Sequence, residues 1–242
     1  MTMKTYVVSL ARSTERREHM QALLSQAGIP FEFFDAVDGT ASDQFLHCNK
    51  AVPELTFKRK GYHLVPAEIA CFASHFALWE KCVELDEPIV ILEDNVALLT
   101  ENIPTLLAEL RQHIEQCGYI KLSAHQPSQY TAVFDIDGKY SLGLYRKGTC
   151  GTSAYILSPT AAKQFIQHAQ SFIEPVDDYM EKPWRHGVKA YHVFPSVLER
   201  SQTKTVIGTT RKQKHPVGLS RKLYIEGFRA YETLMRTLTK VI

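Results

Sequence analysis

Apolar runs alternate along this chain with stretches in which apolar residues return every three or four positions, the pattern of strands followed by helices. KTYVVSL at residues 4–10 predicts a buried strand. Ser13 then suits a helix N-cap, with Met20, Leu23, Leu24 and Ala27 on one face and Gly28 closing the helix. FEFFDAVD at 31–38 predicts a second strand ending in carboxylates and Gly39, so a βαβ unit opens the chain. Residues 40–65 show no clear period and read as an excursion from the core. From Pro66, apolar residues fill a wide arc through Phe72, Phe76, Trp79 and Val83, which predicts a largely buried helix. That helix leads into PIVILEDN at 88–95, a strand buried on both faces that runs straight into two carboxylates and an amide.

Beyond it, 102–117 predicts an amphipathic helix and 119–123 a short strand. Residues 129–146 predict a hairpin turning at Asp137-Gly138. A strand at 154–158, a helix at 159–169 and a last strand at 189–194 complete the body. Asp177 and Asp178 fall at a further helix N-terminus. From Val217, Leu219, Leu223, Phe228, Tyr231, Leu234, Met235 and Leu238 recur at helical spacing with Lys and Arg between them. The expected organisation is one domain over residues 1–199 and a basic tail with an amphipathic helix over 200–242.

Charge sharpens this division. Net charge is +2 over 242 residues, but 1–199 hold 18 Lys/Arg against 24 Asp/Glu, whereas 200–242 hold 10 against 2. A basic tail on an acidic body suggests an anionic partner, lipid or nucleic acid, with a solvated terminal helix as the plain alternative. Five cysteines without a C-x-x-C pair indicate neither a zinc site nor a disulfide framework, and fit a reducing compartment. The apolar run Tyr6 to Ala11 is too short and wrongly flanked for a secretory signal. No stretch approaches the ~20 apolar residues of a membrane span. A cytoplasmic chain is expected.

The candidate chemistry lies at the strand ends. Ligands of open α/β sheets sit beyond the carboxyl ends of the strands, where Glu93, Asp94 and Asn95 would offer hard oxygens to Mg²⁺ or Mn²⁺ holding a phosphorylated substrate. A solvated turn is the bland reading. Arg12, Arg16 and Arg17 crowd a helix N-terminus, where the dipole disfavours cations, so a bound anion or local carboxylates such as Glu15 should compensate. Asp35 and Asp38 could accept from a ribose or a base, or simply shape a turn. His75 suits a satisfied core histidine as well as a catalyst. Asp177 and Asp178 suit a helix cap or a general base.

Taken together, Val8-Ser9-Leu10-Ala11-Arg12-Ser13 with Arg16-Arg17, Phe34 to Gly39, Ala67 to His75 running on through Glu80, and Ile91 to Val96 resemble glycosyltransferase family 25, the lipooligosaccharide and collagen galactosyltransferase-like enzymes. Gly151 to Ser158 and Pro175-Val176-Asp177 continue the match, so it covers most of residues 4–180. The resemblance implies a GT-A-like, Rossmann-related nucleotide-sugar fold with a mixed central sheet. It also implies inverting transfer of a hexose, galactose foremost, from a UDP-sugar to a sugar of the lipooligosaccharide core. The basic tail, which lies outside the resemblance, is expected to make a peripheral contact with the anionic inner face of the bacterial inner membrane.

Placed on that scheme, Arg12, Arg16 and Arg17 hold the diphosphate or uracil end and Asp35 and Asp38 the nucleoside. Ser9, Leu10, Gly39, Glu68, Ser74, His75, Gly151 and Thr152 belong to the substrate site. Asp177 or Asp178 is the base, with Glu93 next. Asp94 and Asn95 hold a divalent ion, or the three residues 93–95 bind sugar hydroxyls directly. The family usually reads Glu-Asp-Asp where this chain has Glu93-Asp94-Asn95, which removes one negative charge and some metal affinity. A nucleotide-binding regulatory module without catalysis and a nucleic-acid-binding protein using the tail are the rival classes. Tyr224, Phe228 and Tyr231 are the tail's candidates for base stacking, but their helical spacing suits packing better.

Overall fold

The computed structural model describes residues 3–42, 44–201 and 218–239. Lys4–Ser9 (β1), Thr14–Gln26 (α1) and Glu32–Asp35 (β2) form the opening βαβ unit, with β1 and β2 parallel. Ser13 sits at the N-cap, although its side chain makes no capping hydrogen bond. Pro66–Leu85 (α3) leads into Ile89–Glu93 (β3), which lies parallel to β1. Ile103–Cys117 (α4) and Tyr119–Lys121 (β5) follow the short strand Val96–Leu98 (β4). The hairpin consists of Tyr130–Asp135 (β6) and Ser141–Tyr145 (β7). Its turn is held where Asp137 Oδ1 accepts the Lys139 and Tyr140 N–H groups, and Gly138 takes φ +75°. Ala154–Leu157 (β8) and Pro159–His168 (α5) come next, then Val176–Met180 (α6), Pro183–His186 (α7) and Tyr191–Phe194 (β9).

Eight of these strands form one sheet in the order β2-β1-β3-β8-β5-β9-β7-β6. It is mixed: β8 runs antiparallel to both β3 and β5, while β9 is parallel to β5. The pleat sends alternate side chains to opposite faces, and both faces are covered. Val7, Val90 and Leu92 pack with Met20 and Leu24 of α1 and with Leu106, Leu110 and Ile114 of α4. Tyr6, Val8, Ile89 and Ile91 pack with Phe72, Phe76 and Trp79 of α3 and Phe165 of α5. Ile89, Val90, Ile91 and Leu92 are therefore all buried, as their unbroken apolar run requires.

Two expectations need correction. The excursion at 40–65 contains a 3-10 turn, Cys48–Lys50, and a helix, Pro53–Lys60 (α2). Thr56 is its one buried residue, so no apolar period marks it; Pro53 at its start and Gly61, φ +77°, at its end are the signals that were present. The strand at 189–194 is not the last, because Leu198–Arg200 (β10) pairs antiparallel with β4. Strands of three residues are too short to show alternation.

The C-terminal helix, Leu219–Leu238 (α8), packs on the body through one face. Ile225 is buried against Gly61, and the guanidinium of Arg59 lies 5.1 Å from the Phe228 ring. Glu232 reaches Lys60 at 3.2 Å and Lys182 at 2.5 Å. The same two lysines also bind Asp178 and the buried Glu174, which pairs with Arg185 as well. Among the described residues no helix is long and apolar enough to cross a membrane.

Candidate active site

Because β1 and β3 are parallel neighbours with Val8 opposite Glu93, Ser9-Leu10 and Glu93-Asp94-Asn95 leave the sheet at the same edge. They open into a cleft of about 910 Å³, a size suited to a small-molecule ligand. The cleft is lined by Ser9, Leu10, Arg12, Arg16, Asp38, Gly39, Glu68, Ser74, His75, Glu93, Asp94, Asn95, Gly151, Thr152, Asp177 and Asp178. Two of the residues singled out in the sequence stand away from it. Arg17 donates to the Ser9 carbonyl at 2.8 Å, pairs with Asp35 and lies over the Phe33 ring, and neither Arg17 nor Asp35 lines the cleft.

The arginines that crowd the start of α1 are compensated by carboxylates from other segments rather than by Glu15. Arg12 grips Asp38 with two nitrogens, at 2.6 and 3.2 Å. Arg12 and the Thr40 hydroxyl and amide together hold the Asp38 carboxyl well below the usual carboxylate range. Arg16 Nη1 lies 2.9 Å from Asp94 Oδ1, and the buried Ser9 hydroxyl donates to Asp94 Oδ2 at 2.7 Å. The loop carrying Asp38 is fixed from beneath by Ser74, whose hydroxyl accepts the Val37 N–H at 2.9 Å. Gly39 packs so closely on the start of α3 that a Cβ there would lie 2.5 Å from the Pro66 carbonyl oxygen. Glu68 closes that helix start by accepting the Val65 N–H at 3.1 Å.

On the opposite wall, Cys150 and Gly151 both take positive φ, 55° and 72°. This turn presents the Gly151 N–H to Asp177 Oδ2 at 3.1 Å. Any Cβ on Gly151 would strike the His125 ring at 2.2 Å. The turn is pinned from behind by buried Lys121, which donates to the Cys150 carbonyl at 2.8 Å and to Glu181 at 2.6 Å. Burial opposes ionisation of Glu181, but Lys121 and the Thr149 hydroxyl outweigh it and hold its carboxyl below its ordinary value. Thr152 donates its hydroxyl to Glu93 Oε1. Burial raises the Glu93 carboxyl despite that bond.

The two aspartates of α6 are not equivalent. Asp177 accepts two backbone N–H groups, from Gly151 and Asp178, and lies in the cleft. Asp178 turns toward Lys60 and Lys182, at 3.1 and 3.4 Å. Burial would raise its carboxyl, but Lys182 and Lys60 overcome this and pull it down to about 2, leaving it a poor base near neutrality. His75 is buried and held near 4 by desolvation, hence neutral. Its Nδ1 meets the Tyr155 hydroxyl at 2.8 Å and its Nε2 stands 3.9 Å from Glu93.

Asn95 is 6% exposed and its Oδ1 has no hydrogen-bond partner. An orphaned buried acceptor calls for an explanation, and a carbonyl oxygen next to Asp94 suits a hard divalent cation. Among the described residues no group of three His, Cys, Asp or Glu could hold a metal. An ion at Asp94 and Asn95 would therefore draw its other oxygens from a bound anion and water. Sequence patterns missed His125, Lys147, Arg200 and Arg236, which also line the cleft. Arg200 arrives on β10 and Arg236 on α8, and neither carries a local motif.

A family model described as glycosyltransferase family 25 (LPS biosynthesis protein) matches residues 2–180, a span that contains both walls of the cleft but not β10 or α8. The lipooligosaccharide biosynthesis protein lic2B of Haemophilus influenzae is 34% identical over 171 residues, 67% of this chain and 62% of that protein. The lacto-N-neotetraose biosynthesis glycosyltransferase LgtB of Neisseria gonorrhoeae is 33% identical over 174 residues, 68% of this chain and 60% of that protein. The matches thus span less than two thirds of the length of these relatives. A solved glycosyltransferase involved in glycosylating the major capsid of PBCV-1 aligns over 95% of this chain and 100% of its own, at 7% identity and a TM-score of 0.44, a distant likeness. All but Glu181, Arg200 and Arg236 of the residues that line the cleft lie inside the family match, and the chain belongs to glycosyltransferase family 25.

Proposed function

We propose that this chain transfers a hexose, galactose foremost, from a UDP-sugar to a sugar of a lipooligosaccharide core, with inversion and on a GT-A-like scaffold. The observation that carries this reading is the clasp on Asp94. One carboxylate at the end of β3 is held by Ser9 and Arg16 from the β1–α1 junction, in the same cleft as Asp177.

Inverting transfer needs a base for the acceptor hydroxyl, an anomeric carbon open to in-line attack and neutralisation of the leaving diphosphate. Arg12 and Arg16 supply fixed positive charge at one wall. Glu93 and Asp94 accept hydrogen bonds from ribose or sugar hydroxyls. Asp177 is the base, since Asp178 is committed to two lysines. His75, neutral and fixed on Tyr155, positions Glu93 rather than moving a proton. A Mg²⁺ or Mn²⁺ ion fits Asp94 and the unpartnered Asn95 carbonyl, and when bound would add charge neutralisation at the diphosphate. The expected location is the cytoplasmic face of the inner membrane, in contact with its anionic surface.

The test is a screen of UDP-sugars for protection against thermal unfolding, with and without Mn²⁺, followed by transfer to a saccharide acceptor with the donor that protects. Ligand bound only by the native state raises its stability by mass action. Protection by one UDP-hexose together with transfer is expected. Protection by UDP alone, with no transfer from any donor, would favour a regulatory nucleotide-binding module.

A further inference from the structure

Lys121 is 2% exposed and does not line the cleft, and the reaction proposed above makes no use of its charge. It stands on β5, opposite Tyr155 of β8 and His192 of β9, so the central sheet fixes its backbone from both sides. Taking an ammonium and a carboxylate out of water is costly, and replacing such a pair by apolar residues is often neutral or stabilising. The pair of Lys121 with Glu181 therefore needs a reason other than stability. Its hydrogen bonds point to one. Glu181 Oε1 accepts from Lys121 and also, at 3.3 and 3.1 Å, from the Thr149 N–H and hydroxyl. Lys121 donates as well to the carbonyl of Cys150, the next residue along. Both members of the pair thus grip one turn.

That turn needs gripping. Cys150 and Gly151 take positive φ in succession, and a residue with a Cβ keeps such a conformation only where its surroundings over-determine it. The residues after Cys150 lead to both carboxylates of the cleft. The Gly151 N–H donates to Asp177, the Thr152 hydroxyl donates to Glu93, and the Ser153 carbonyl accepts the Glu93 N–H at 2.8 Å. We propose that Lys121, clamped by Glu181, is a positioning residue for sugar transfer: by holding the Cys150 carbonyl it fixes the Gly151 N–H that aims Asp177 at the acceptor hydroxyl. The inference rests on the reading of Asp177 as the base. Arg12 and Arg16 stand on the other wall of the cleft, so loosening the turn slows the chemical step and spares the nucleotide.

The experiment compares Lys121→Met with Lys121→Met combined with Glu181→Gln, each in the full chain. The single variant leaves Glu181 buried without its cation and should lower the thermal transition. The double variant removes both charges, keeps an amide oxygen for Thr149, and should recover most of that loss. In both, kcat on a soluble saccharide acceptor should fall ~10- to 10²-fold, the effect of a displacement near 1 Å at the reacting groups. The donor KM and the thermal protection by UDP should stay within about twofold of wild type. Hydrogen exchange of a peptide spanning 149–153 should quicken while that of β1 is unchanged. A merely structural Lys121 predicts that kcat returns with stability in the double variant, and that result overturns the proposal. So do unchanged exchange at 149–153 and a loss of UDP protection in a folded variant. A wild type that transfers from no UDP-sugar ends the catalytic reading and this role with it, whereas an active wild type with an equally active double variant ends this role alone.

Discussion

Replacing Arg16 with Met keeps the apolar stem of the side chain and removes the guanidinium that faces Asp94. The pair is 2.9 Å apart, with side chains 20% and 10% exposed, so solvent screens it less than a surface pair. Two unit charges at ~4 Å and an effective dielectric constant near 20 interact by ~4 kcal/mol. Desolvation removes part of this, and a charge-assisted hydrogen bond nets ~1.5–3 kcal/mol. Arg16→Met should therefore lose ~2 kcal/mol of stability, with the Ser9 hydroxyl still holding the other carboxylate oxygen. The cycle with Asp94→Asn should show a coupling of ~1.5–3 kcal/mol in urea unfolding. Turnover separates two duties of the same guanidinium. If Arg16 also neutralises the leaving diphosphate, transfer falls by ~10²-fold or more in Arg16→Met, and a loss of similar size persists when the substitution is made in the Asp94→Asn background. Coupling below ~0.5 kcal/mol would refute the clasp. A rate within about threefold of wild type would remove Arg16 from the chemistry.

Asp177→Asn should cost ~10²-fold or more in transfer yet leave UDP protection intact, whereas Asp178→Asn should chiefly lower stability; the reverse result exchanges their roles. Gly39→Ala forces a Cβ to within 2.5 Å of the Pro66 carbonyl oxygen, so a loss of ~1–3 kcal/mol in thermal unfolding and weaker UDP binding are expected. An unchanged transition would show that the loop yields freely. His186 is buried, with Nε2 on the Tyr179 carbonyl and Nδ1 accepting the Val188 N–H, and desolvation holds it near 3. The unfolded chain therefore takes up this proton from about pH 6.5 downward while the folded one does not. The stability present above that value is lost progressively as pH falls toward 3, by about 2 kcal/mol for this histidine between pH 7 and pH 5. His75 and His192 add to the same trend, and a flat urea-unfolding profile over that range refutes it. Asn95→Asp should raise the response of UDP-sugar binding to Mn²⁺, read as a larger thermal shift with the ion than in wild type; no change would count against an ion at this position.

Much of the scaffold was legible because its driving force is local. The unbroken apolar run at Ile89–Leu92 and the wide apolar arc from Ile69 to Val83 leave few places for those residues except the middle of a layered α/β domain. Strand direction is not written in hydrophobicity, so nothing in Ala154–Leu157 announces that β8 runs against both of its neighbours. The acidic strand end and the arginines of α1 were visible as candidates, and the unfavourable dipole at Arg16 and Arg17 pointed to missing negative charge. Which carboxylate answers which arginine was not visible. Arg16 and Asp94 are 78 positions apart, and only the parallel pairing of β1 with β3 makes them neighbours. Arg17 and Asp35 resemble site residues by type and place in the sequence, yet they satisfy each other away from the cleft. Arg200 and Arg236 were illegible for a related reason: each reaches the cleft on an element whose docking depends on distant partners.

Glu232 has a practical bearing on how this protein should be handled. It balances a cluster in which, among the described residues, Lys60, Lys182 and Arg185 otherwise face Glu174 and Asp178. Trimming the chain at the charge boundary near residue 200, where composition alone invites a cut, would strip one anion from that group and open Ile225's seat beside Gly61 to water. A shortened version made for crystallisation or screening would then carry an unmatched cation behind Asp178, next door to Asp177. Losses in its performance would report the missing counter-charge rather than the worth of any side chain in the reaction.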